Sequence, residues 1–345
     1  MKRVALVAML LTGCLSARVA RIVDRAVDPS FSGVVLVARD NHTLFRKAYG
    51  LANTPATPFM IMSVSKQFTA MLILRLAAAN KLRLDDPVSK YLDDWPAEWN
   101  GVEIRHLLSH SAGLDIDTTY FWLVKHHPEY WPDPAHAPPA YAPKPPLAAP
   151  GTKYQYANVG YTLLSMIASK ADGRPFDELL RDEVLRPLGL THTLPERNGV
   201  RTPGRARGYT RTDRGLQLAE QKTIDIVGAG DLVSTAGDLA RFDFAFDDDR
   251  YLPATLRAEM LAPHIERSPG SSMGYAWFLR TSSDGHVIQS HPGSGAGFRA
   301  FNYRLPDQRL AIVVLSNVDD RDVPWLPPMI ERIARVCFSP SRDSP

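Results

Sequence analysis

The stretch FMIMSVSKQFTAMLILRLAAANKL, which runs from Phe59 to Leu82, decides the fold prediction. Its apolar residues and strong helix formers predict one largely buried helix. Ser63 and Lys66 stand three residues apart in this run, so a helix that begins near Ser63 places both side chains on one face of its first turn. Burying a charge costs free energy, so a lysine in this run raises the question of its use.

The pair Ser63 and Lys66 is suited to nucleophilic chemistry. Free backbone N–H groups and the helix dipole lie beside a hydroxyl at a helix N-terminus, and a buried ammonium next to it loses its proton readily. A serine needs such a base because its hydroxyl is inert at neutral pH. The spacing alone is weak, since about one Ser-x-x-Lys match is expected by chance in a chain of this length.

Composition and charge exclude some classes of function. The chain has 345 residues, 45% of them hydrophobic, which allows one large domain or two closely packed lobes. Its formal net charge of +3 comes from 40 basic and 37 acidic residues, and no basic run is interleaved with aromatics. Nucleic acid is therefore not expected as a partner.

The N-terminus predicts export. Residues 1–13 combine two basic residues with a short apolar core, as in a signal peptide, and are too short to span a bilayer. Leu11-Thr12-Gly13-Cys14 resembles the lipobox of bacterial lipoproteins, which would make Cys14 the acylated first residue and the membrane a partner. An ordinary cleaved signal is the alternative. We expect a periplasmic or cell-surface protein, without a structural disulfide because Cys337 is the only other cysteine.

The order of the predicted elements indicates an α+β fold. Two strands joined at Asp40-Asn41 form a hairpin near the N-terminus, and helical patterns dominate from Ser63 to about Met260. Strand patterns return late, before a closing helix at 327–336, in the segments MGYAWFLR, HVIQS, GFRAFNYRL and RLAIVVLSN. We therefore expect an antiparallel sheet built from both termini and flanked by helices, with a mostly α-helical lobe inserted between the two parts.

This pattern predicts one domain over residues 18–340. Its sheet lobe comprises about 18–60 and 270–340, and its helical lobe about 61–269. The proline-rich segment 128–151 excludes helix and central strand, and is expected to be a stiff surface excursion or, alternatively, a binding loop.

Two further motifs complete a three-part site. Tyr156 and Asn158 stand before an amphipathic helix in YQYANVGYTLLSMIASK, and His291 and Gly293 stand at a strand entrance in SHPGSGAGFRAFNY. With these motifs the chain resembles the serine β-lactamase and penicillin-binding superfamily, specifically its class C β-lactamase, DD-peptidase and esterase branch. The resemblance covers roughly residues 32–317 and includes KLRLDDPVSKYL, IRHLLSHSAGL, LRPLGL and GAGDLVSTAGDLARF.

The resemblance implies a β-lactamase/transpeptidase-like fold and a serine acyl hydrolase that needs no cofactor. Ser63 would be the acylated nucleophile, and Lys66 and Tyr156 would share its proton and that of the leaving group. A phenol near an ammonium is stabilised as phenolate, so Tyr156 is expected to act as a base. Asn158 would bind Lys66 and the acyl part of the substrate. The backbone N–H groups of Ser63 and Ser294 would form the oxyanion hole.

The third motif departs from the pattern of the family. The family has Lys or His, then usually a small or hydroxylated residue, then Gly, and this chain has His291-Pro292-Gly293. Because class C β-lactamases carry lysine at the position of His291, recognition of a substrate carboxylate is in doubt. We therefore expect an ester, peptide or amide hydrolase that is at most a weak β-lactamase. The alternative is a protein that binds penicillin or cell-wall fragments without turnover.

Other local patterns have simpler interpretations. His106 and His110 have the i, i+4 spacing of two metal ligands, but no third ligand is evident nearby and no metal site is expected. SHSAG, around Ser111, lacks the leading glycine of a nucleophile elbow and predicts a helix-ending turn. The aromatic residues of DTTYFWLVKHHPEYW either line a substrate pocket or pack against the helical lobe.

Overall fold

The computed structural model describes residues 2–51, 53–130, 144–196, 201–219, 226–319 and 323–338, with side chains from residue 13 onward. Most of the proline-rich segment, 131–143, lies outside the described residues. The α-helices are α1 (Lys2–Ala26), α2 (Ser65–Ala78), α3 (Ile104–Leu108), α4 (Ile116–His126), α5 (Asn158–Asp172), α6 (Phe176–Leu180), α7 (Ala236–Phe244), α8 (Ala254–Met260) and α9 (Leu326–Phe338). The strands are β1 (Gly33–Arg39), β2 (His42–Tyr49), β3 (Phe59–Met60), β4 (Leu194–Pro195), β5 (Tyr209–Thr212), β6 (Gly215–Leu218), β7 (Leu232–Ser234), β8 (Ile265–Ser268), β9 (Ser271–Met273), β10 (Phe278–Thr281), β11 (Val287–Gly295), β12 (Phe298–Leu305) and β13 (Leu310–Ser316).

The main sheet joins the two ends of the chain, as predicted. Within the described residues it has eight strands in the order β2-β1-β13-β12-β11-β10-β9-β8, all antiparallel. Strand β1 lies between β2 and the C-terminal β13, with Val35 opposite Val314. The predicted hairpin at Asp40-Asn41 is confirmed, and both residues have positive φ (51° and 62°), as a tight two-residue hairpin turn requires.

Each face of this sheet packs against helices. Successive side chains of a strand point to opposite faces, so along β13 Ile312 and Val314 enter one hydrophobic cluster and Val313 and Leu315 the other. The outer cluster is formed with α1 and α9, and the inner cluster with the rest of the helical structure. We call the two sides of the sheet the outer face and the inner face.

Helix α2 is the centre of the inner layer. Nearly every side chain from Ser65 to Leu76 is buried, which fits an apolar helix surrounded by protein on all sides. It packs against α5 and α8, and the turn that precedes it contacts β11 and β12. This arrangement brings the first turn of α2 to the sheet. No helix in the described part of the chain is long and apolar enough to cross a membrane.

Three features differ from the sequence prediction. MGYAWFLR is not one strand: β9 and β10 are separated by a turn in which Ala276 has a φ of 62° and Gly274 N–H donates to Trp277 O at 2.8 Å. The mostly helical stretch also contains the short strands β4 to β7, which propensity over two to four residues does not reveal. Strand β8 belongs to the sheet although residues 61–269 were assigned to the helical lobe. The division into lobes stays a prediction.

Candidate active site

The serine and lysine of the first motif lie at the start of α2. A 3₁₀ turn, Met62–Val64, leads from β3 into the helix, so the predicted helix start near Ser63 is confirmed. Met62 has a φ of 49°, a left-handed conformation that is uncommon for a side chain of this size and is typical of functional sites. Ser63 is partly exposed and Lys66 fully buried, with 3.2 Å between Lys66 Nζ and Ser63 Oγ.

Lys66 has three oxygen partners. Its Nζ donates to Asn158 Oδ1 at 2.8 Å and to Ala229 O at 2.6 Å, and the third contact is Ser63 Oγ. Burial lowers the pKa of Lys66 to about 7, against an opposing effect of the Asp231 carboxylate. In the neutral amine, two N–H groups satisfy the two carbonyl oxygens and the lone pair remains for the Ser63 proton. Lys66 is therefore suited to be the general base.

Tyr156 lies against Lys66 but does not fit the predicted phenolate. Lys66 Nζ is 4.9 Å from the centre of its ring. Burial raises the pKa of the Tyr156 hydroxyl, and a hydrogen bond with Ser63 only partly opposes this effect. The expectation of a basic phenolate was wrong, because burial disfavours the charged form of a phenol more than the contacts here stabilise it. Tyr156 is a protonated phenol, suited to donate a proton.

His110 is a member of the site that the motifs did not identify. Its ring lies 4.3 Å from that of Tyr156, its Nδ1 accepts the Ala157 N–H at 3.2 Å, and its carbonyl accepts the Gln155 N–H at 2.7 Å. Burial lowers the pKa of His110 well below its usual value, so the ring is neutral. The histidine thus orders the segment that carries Tyr156 and precedes Asn158, the first residue of α5.

His106 and His110 each bind the backbone beside a helix start. His106 Nδ1 accepts the Glu103 N–H at 3.1 Å and caps α3, and His110 binds the backbone before α5. No cluster of three or more potential ligands occurs among the residues that the structure describes. The predicted turn at SHSAG is confirmed, because α3 ends at Leu108 and Gly113 has a φ of 71°.

Gly293 brings the third motif against the nucleophile. A Cβ on this residue would lie 2.2 Å from Ile61 O and 3.1 Å from Ser63 N, so only glycine allows β11 to approach so closely. Strand β10 covers the neighbouring edge of β11 only as far as Ser290. Beyond Ser290 no described strand pairs with this edge of β11, which we call the open edge.

The backbone of β11 offers an N–H group at this open edge. Pro292 has no N–H, and its carbonyl oxygen accepts a 2.7 Å hydrogen bond from the His291 side chain. Pro292 therefore presents its backbone groups away from the ladder with β12. Since backbone groups alternate in direction along a strand, the N–H of Ser294 points to the same edge as Pro292. The shared oxyanion hole of Ser63 and Ser294 stays a prediction.

His291 is buried and carries no charge. Because a carbonyl oxygen only accepts, the bond to Pro292 O places the proton on Nδ1 and leaves Nε2 as an acceptor. Burial lowers the pKa of His291 to about 3, an effect that the nearby Lys66 strengthens, and the ring stacks on Phe278 at 4.8 Å. Nε2 has no hydrogen-bond partner among the described residues. The third motif therefore supplies no cation.

Asp231 and the Ala229 carbonyl also belong to the site. They lie in the segment GAGDL, and the resemblance to the family assigned no role to either residue. Asp231 is fully buried, and its Oδ1 accepts the Gly228 N–H at 3.1 Å. An aspartate directly after Gly-Ala-Gly was the available sequence signal, but its neighbour Lys66 is 165 residues away in sequence.

A comparison with protein families settles the membership of the chain. A family model described as Beta-lactamase matches residues 19–326. The chain therefore belongs to the beta-lactamase family. This family lies within the superfamily of serine β-lactamases and penicillin-binding proteins that the three motifs implied, and the chain is a serine hydrolase of that superfamily.

Curated relatives support this membership. Penicillin-binding protein 4* of Bacillus subtilis (strain 168) is 26% identical over 343 residues, covering 91% of this chain and 74% of that protein. Protein flp of Staphylococcus aureus (strain NCTC 8325 / PS 47) is 26% identical over 313 residues, covering 85% of this chain and 60% of that protein.

Solved structures confirm the β-lactamase/transpeptidase-like fold. The D-amino acid amidase from Ochrobactrum anthropi SV3, complexed with D-phenylalanine, has a TM-score of 0.76 at 23% identity, covering 94% of this chain and 99% of that one. The penicillin binding protein from Bacillus halodurans has a TM-score of 0.74 at 23% identity, covering 92% and 98%.

Proposed function

We propose that this member of the beta-lactamase family hydrolyses an ester, peptide or amide through an acyl-enzyme on Ser63. The observation that carries the proposal is the environment of Lys66: a buried amine with a pKa of about 7, 3.2 Å from a partly exposed serine hydroxyl. Such an amine is neutral in a large fraction of molecules at pH 7, which is the state that a base requires.

The proposed acylation follows from these contacts. Ser63 Oγ attacks the substrate carbonyl while its proton passes to Lys66 Nζ, and the carbonyl oxygen becomes an oxyanion. The N–H groups of Ser63 and Ser294 stabilise that oxyanion by about 3 kcal/mol each. Tyr156 donates its hydroxyl proton to the leaving group as the carbonyl carbon–leaving group bond breaks, and takes the proton held by Lys66. Water then releases the acyl group by the reverse sequence of proton transfers.

The third motif favours uncharged substrates. A lysine at the position of His291 would attract a carboxylate, whereas the His291 ring is buried and neutral and offers no positive charge. Pro292 also removes a hydroxyl that would bind a carboxylate. We therefore propose short-chain esters and small amides as preferred substrates, with weak activity at most on penicillins and cephalosporins. A D-amino acid amidase among the structural neighbours supports the amides.

A binder without turnover is the second candidate, since several relatives are named penicillin-binding proteins. The enzyme is favoured because Ser63, Lys66, Tyr156 and Asn158 form a complete proton-transfer set that binding alone does not need.

The decisive experiment measures labelling and turnover together. The purified protein is incubated with a fluorophosphonate, a fluorescent penicillin and a p-nitrophenyl ester, and the labelled residue is located by peptide mass spectrometry. We expect label on Ser63 and ester turnover, both lost in Ser63→Ala and both retained in Ser268→Ala, which changes an exposed serine of β8. Labelling without turnover would favour the binder, and turnover in Ser63→Ala would remove this residue from the mechanism.

The pH dependence of the rate tests Lys66 as the base. Because Lys66 must be deprotonated in the free enzyme, kcat/KM for a neutral ester is expected to fall about tenfold per pH unit below pH 7 and to level off above it. Asp231 raises the pKa of Lys66, so in Asp231→Asn the fall of kcat/KM on the acidic limb of the pH profile should begin at a lower pH. A limb that does not move would show that another group is titrating.

We also propose that the protein is exported and anchored to a bacterial membrane through acylated Cys14, as LTGC at 11–14 suggests. Cys14 is exposed and free, which is compatible with modification. Cys14→Ser should release the protein into the soluble fraction or leave an unprocessed precursor. Mass spectrometry of the mature N-terminus decides the question, since an unmodified terminus beyond residue 14 would indicate a plain secretory signal.

A further inference from the structure

Helix α1 carries three arginines on one exposed stripe. At about 100° per residue, Cys14, Arg18, Arg21 and Arg25 fall within an arc of about 60° around the helix axis. All four residues are exposed. We call this set of four residues the arginine stripe.

The three arginines of the stripe have no acidic partner within 4 Å among the described residues, whereas many other surface arginines have one. Asp24, the acidic neighbour on α1, pairs with Lys47 of β2 instead. The stripe is not the result of a general excess of charge. From Cys14 onward the chain has 38 basic and 37 acidic residues, a formal net charge of +1.

The stripe lies on the opposite side of the sheet from Ser63. Residues Val19 and Val23 of α1 are buried in the outer cluster with α9. Burial raises the pKa of the Cys337 thiol of α9 to about 11, and Arg18 is close enough to oppose that effect. The 3₁₀ turn that carries Ser63 packs in the inner cluster. A surface that contacts the stripe therefore leaves the active site open on the far side.

We propose that the arginine stripe lies on an anionic phospholipid bilayer and pairs with the phosphates of its head groups. Guanidinium groups bind phosphate through two parallel hydrogen bonds, and basic residues near an anionic membrane strengthen binding. The stripe begins at Cys14 and extends about 16 Å to Arg25, so an anchor at Cys14 would place all three arginines within reach of the head groups. This orientation rests on the proposed anchoring, and the arginines supply a second membrane signal beside the acyl chains.

The test isolates the stripe from the anchor. The full-length chain with Cys14→Ser, which cannot be acylated, is sedimented with vesicles of phosphatidylcholine alone or of phosphatidylcholine with phosphatidylglycerol. Two triple variants are compared on this background. One changes the stripe (Arg18→Gln, Arg21→Gln, Arg25→Gln), and the control removes the same charge from exposed positions elsewhere (Arg46→Gln, Arg207→Gln, Arg214→Gln).

We expect the stripe variant to partition onto phosphatidylglycerol vesicles about a hundredfold more weakly than the control variant, or about fivefold per arginine. The difference should disappear on phosphatidylcholine vesicles and at high salt, which screens the interaction. Any contribution of residues 1–13 is the same in both variants.

Equal partitioning of the two variants would overturn the proposal. So would a difference that appears with a soluble polyanion such as heparin but not with vesicles. Ester hydrolysis by both variants should match that of the parent chain, which also verifies folding. Absence of hydrolysis in every chain would contradict the proposed enzyme but would not affect the vesicle result. Failure of the anchor is detected separately, by mass spectrometry of the N-terminus.

Discussion

The two faces of the central sheet bury different kinds of residues. The outer cluster under α1 and α9 consists of apolar side chains and Cys337, and His286 is the buried ionisable residue that packs beside it, against Phe338 of α9, among the residues the structure describes. On the inner side, Lys66, Asp231, Asp243 and His291 are all buried within the helical layer or at the sheet. Burying an ionisable group is costly, so this asymmetry indicates that one face stabilises the fold while the other also carries the chemistry.

Asp243 shows that ionisable groups are buried on the inner face beyond the active-site motifs as well. It lies on α7, and its Oδ1 accepts a hydrogen bond at 2.8 Å from Asn302 of β12, which also donates to Gln67 of α2 at 3.0 Å. Gln67 adjoins Lys66. Burial raises the pKa of Asp243 to about 8, so its carboxyl group is largely protonated at neutral pH. A polar network thus connects the catalytic helix to the sheet.

The largest effect is expected for Lys66→Ala, which removes the buried base of the inner face. We expect kcat/KM for a p-nitrophenyl ester to fall by about a hundredfold to ten-thousandfold, the range measured for general acid-base groups. Circular dichroism should show an intact fold. The control is Lys170→Ala, which removes an exposed lysine of α5 and should leave the rate unchanged. A normal rate in Lys66→Ala would assign the base to another residue.

The second prediction concerns how the Asp243 carboxyl makes the unfolding free energy depend on pH. The pKa of Asp243 is raised from 3.8 to about 8 by folding, so between these values the unfolded chain has lost a proton that the folded chain retains. Its contribution to stability is therefore complete below pH 3.8 and is lost as the pH rises toward 8, at about 1.4 kcal/mol per pH unit. Asp243→Asn removes this dependence, because an amide does not titrate.

Urea denaturation at pH 5, 6 and 7 measures this prediction. From pH 5 to pH 7, the unfolding free energy of the native protein should fall by about 3 kcal/mol relative to that of Asp243→Asn. Taking the difference between the two proteins cancels the titration of the groups that both proteins share, Lys66 included. Asp93→Asn, at an exposed position, is the control. Parallel pH profiles would show that the Asp243 carboxylate is already ionised in the folded state.

Gly293→Ala should have a smaller effect on the rate. The added Cβ would lie 2.2 Å from Ile61 O, so β11 must move away from Ser63 and the Ser294 N–H must leave the oxyanion position. We expect kcat to fall about tenfold to a hundredfold, less than the roughly hundredfold to thousandfold cost of removing an oxyanion-hole donor altogether, because the donor is displaced and not lost. Gly237→Ala is the matched control, because the nearest atom to its Cβ is 3.9 Å away. An unchanged kcat would show that β11 does not provide that donor.

Sequence reasoning predicted the inner face less completely than the outer one. The closing helix, the hairpin and the sheet built from both termini followed from periodicity and turn residues, which are local signals. The pairing of Ser63 with Lys66 and the start of α2 were also predicted from local sequence signals. The break in MGYAWFLR was not, because Ala276 adopts a positive φ that its residue type does not indicate.

The protonation states of the site could not be predicted because they depend on burial and on distant neighbours. Tyr156 was expected to be ionised beside Lys66, yet burial keeps it protonated. The proton of His291 is placed by its bond to the Pro292 carbonyl, and no pattern in the sequence reports such a bond. Motifs name the residues that meet, whereas the environment created by the fold decides what charge they carry.

The smallest effect is expected on the outer face, where a change should alter stability alone. Ile330 of α9 is fully buried in the outer cluster, and Ile330→Val removes one methylene group from it. The unfolding free energy should fall by about 0.5–1.5 kcal/mol in urea denaturation at a fixed pH, because a small cavity remains. The kcat for the ester should stay the same, since this cluster and the 3₁₀ turn that carries Ser63 lie on opposite faces of the sheet. A changed kcat would mean that packing across the sheet positions Ser63, and the separation between the two faces would then fail.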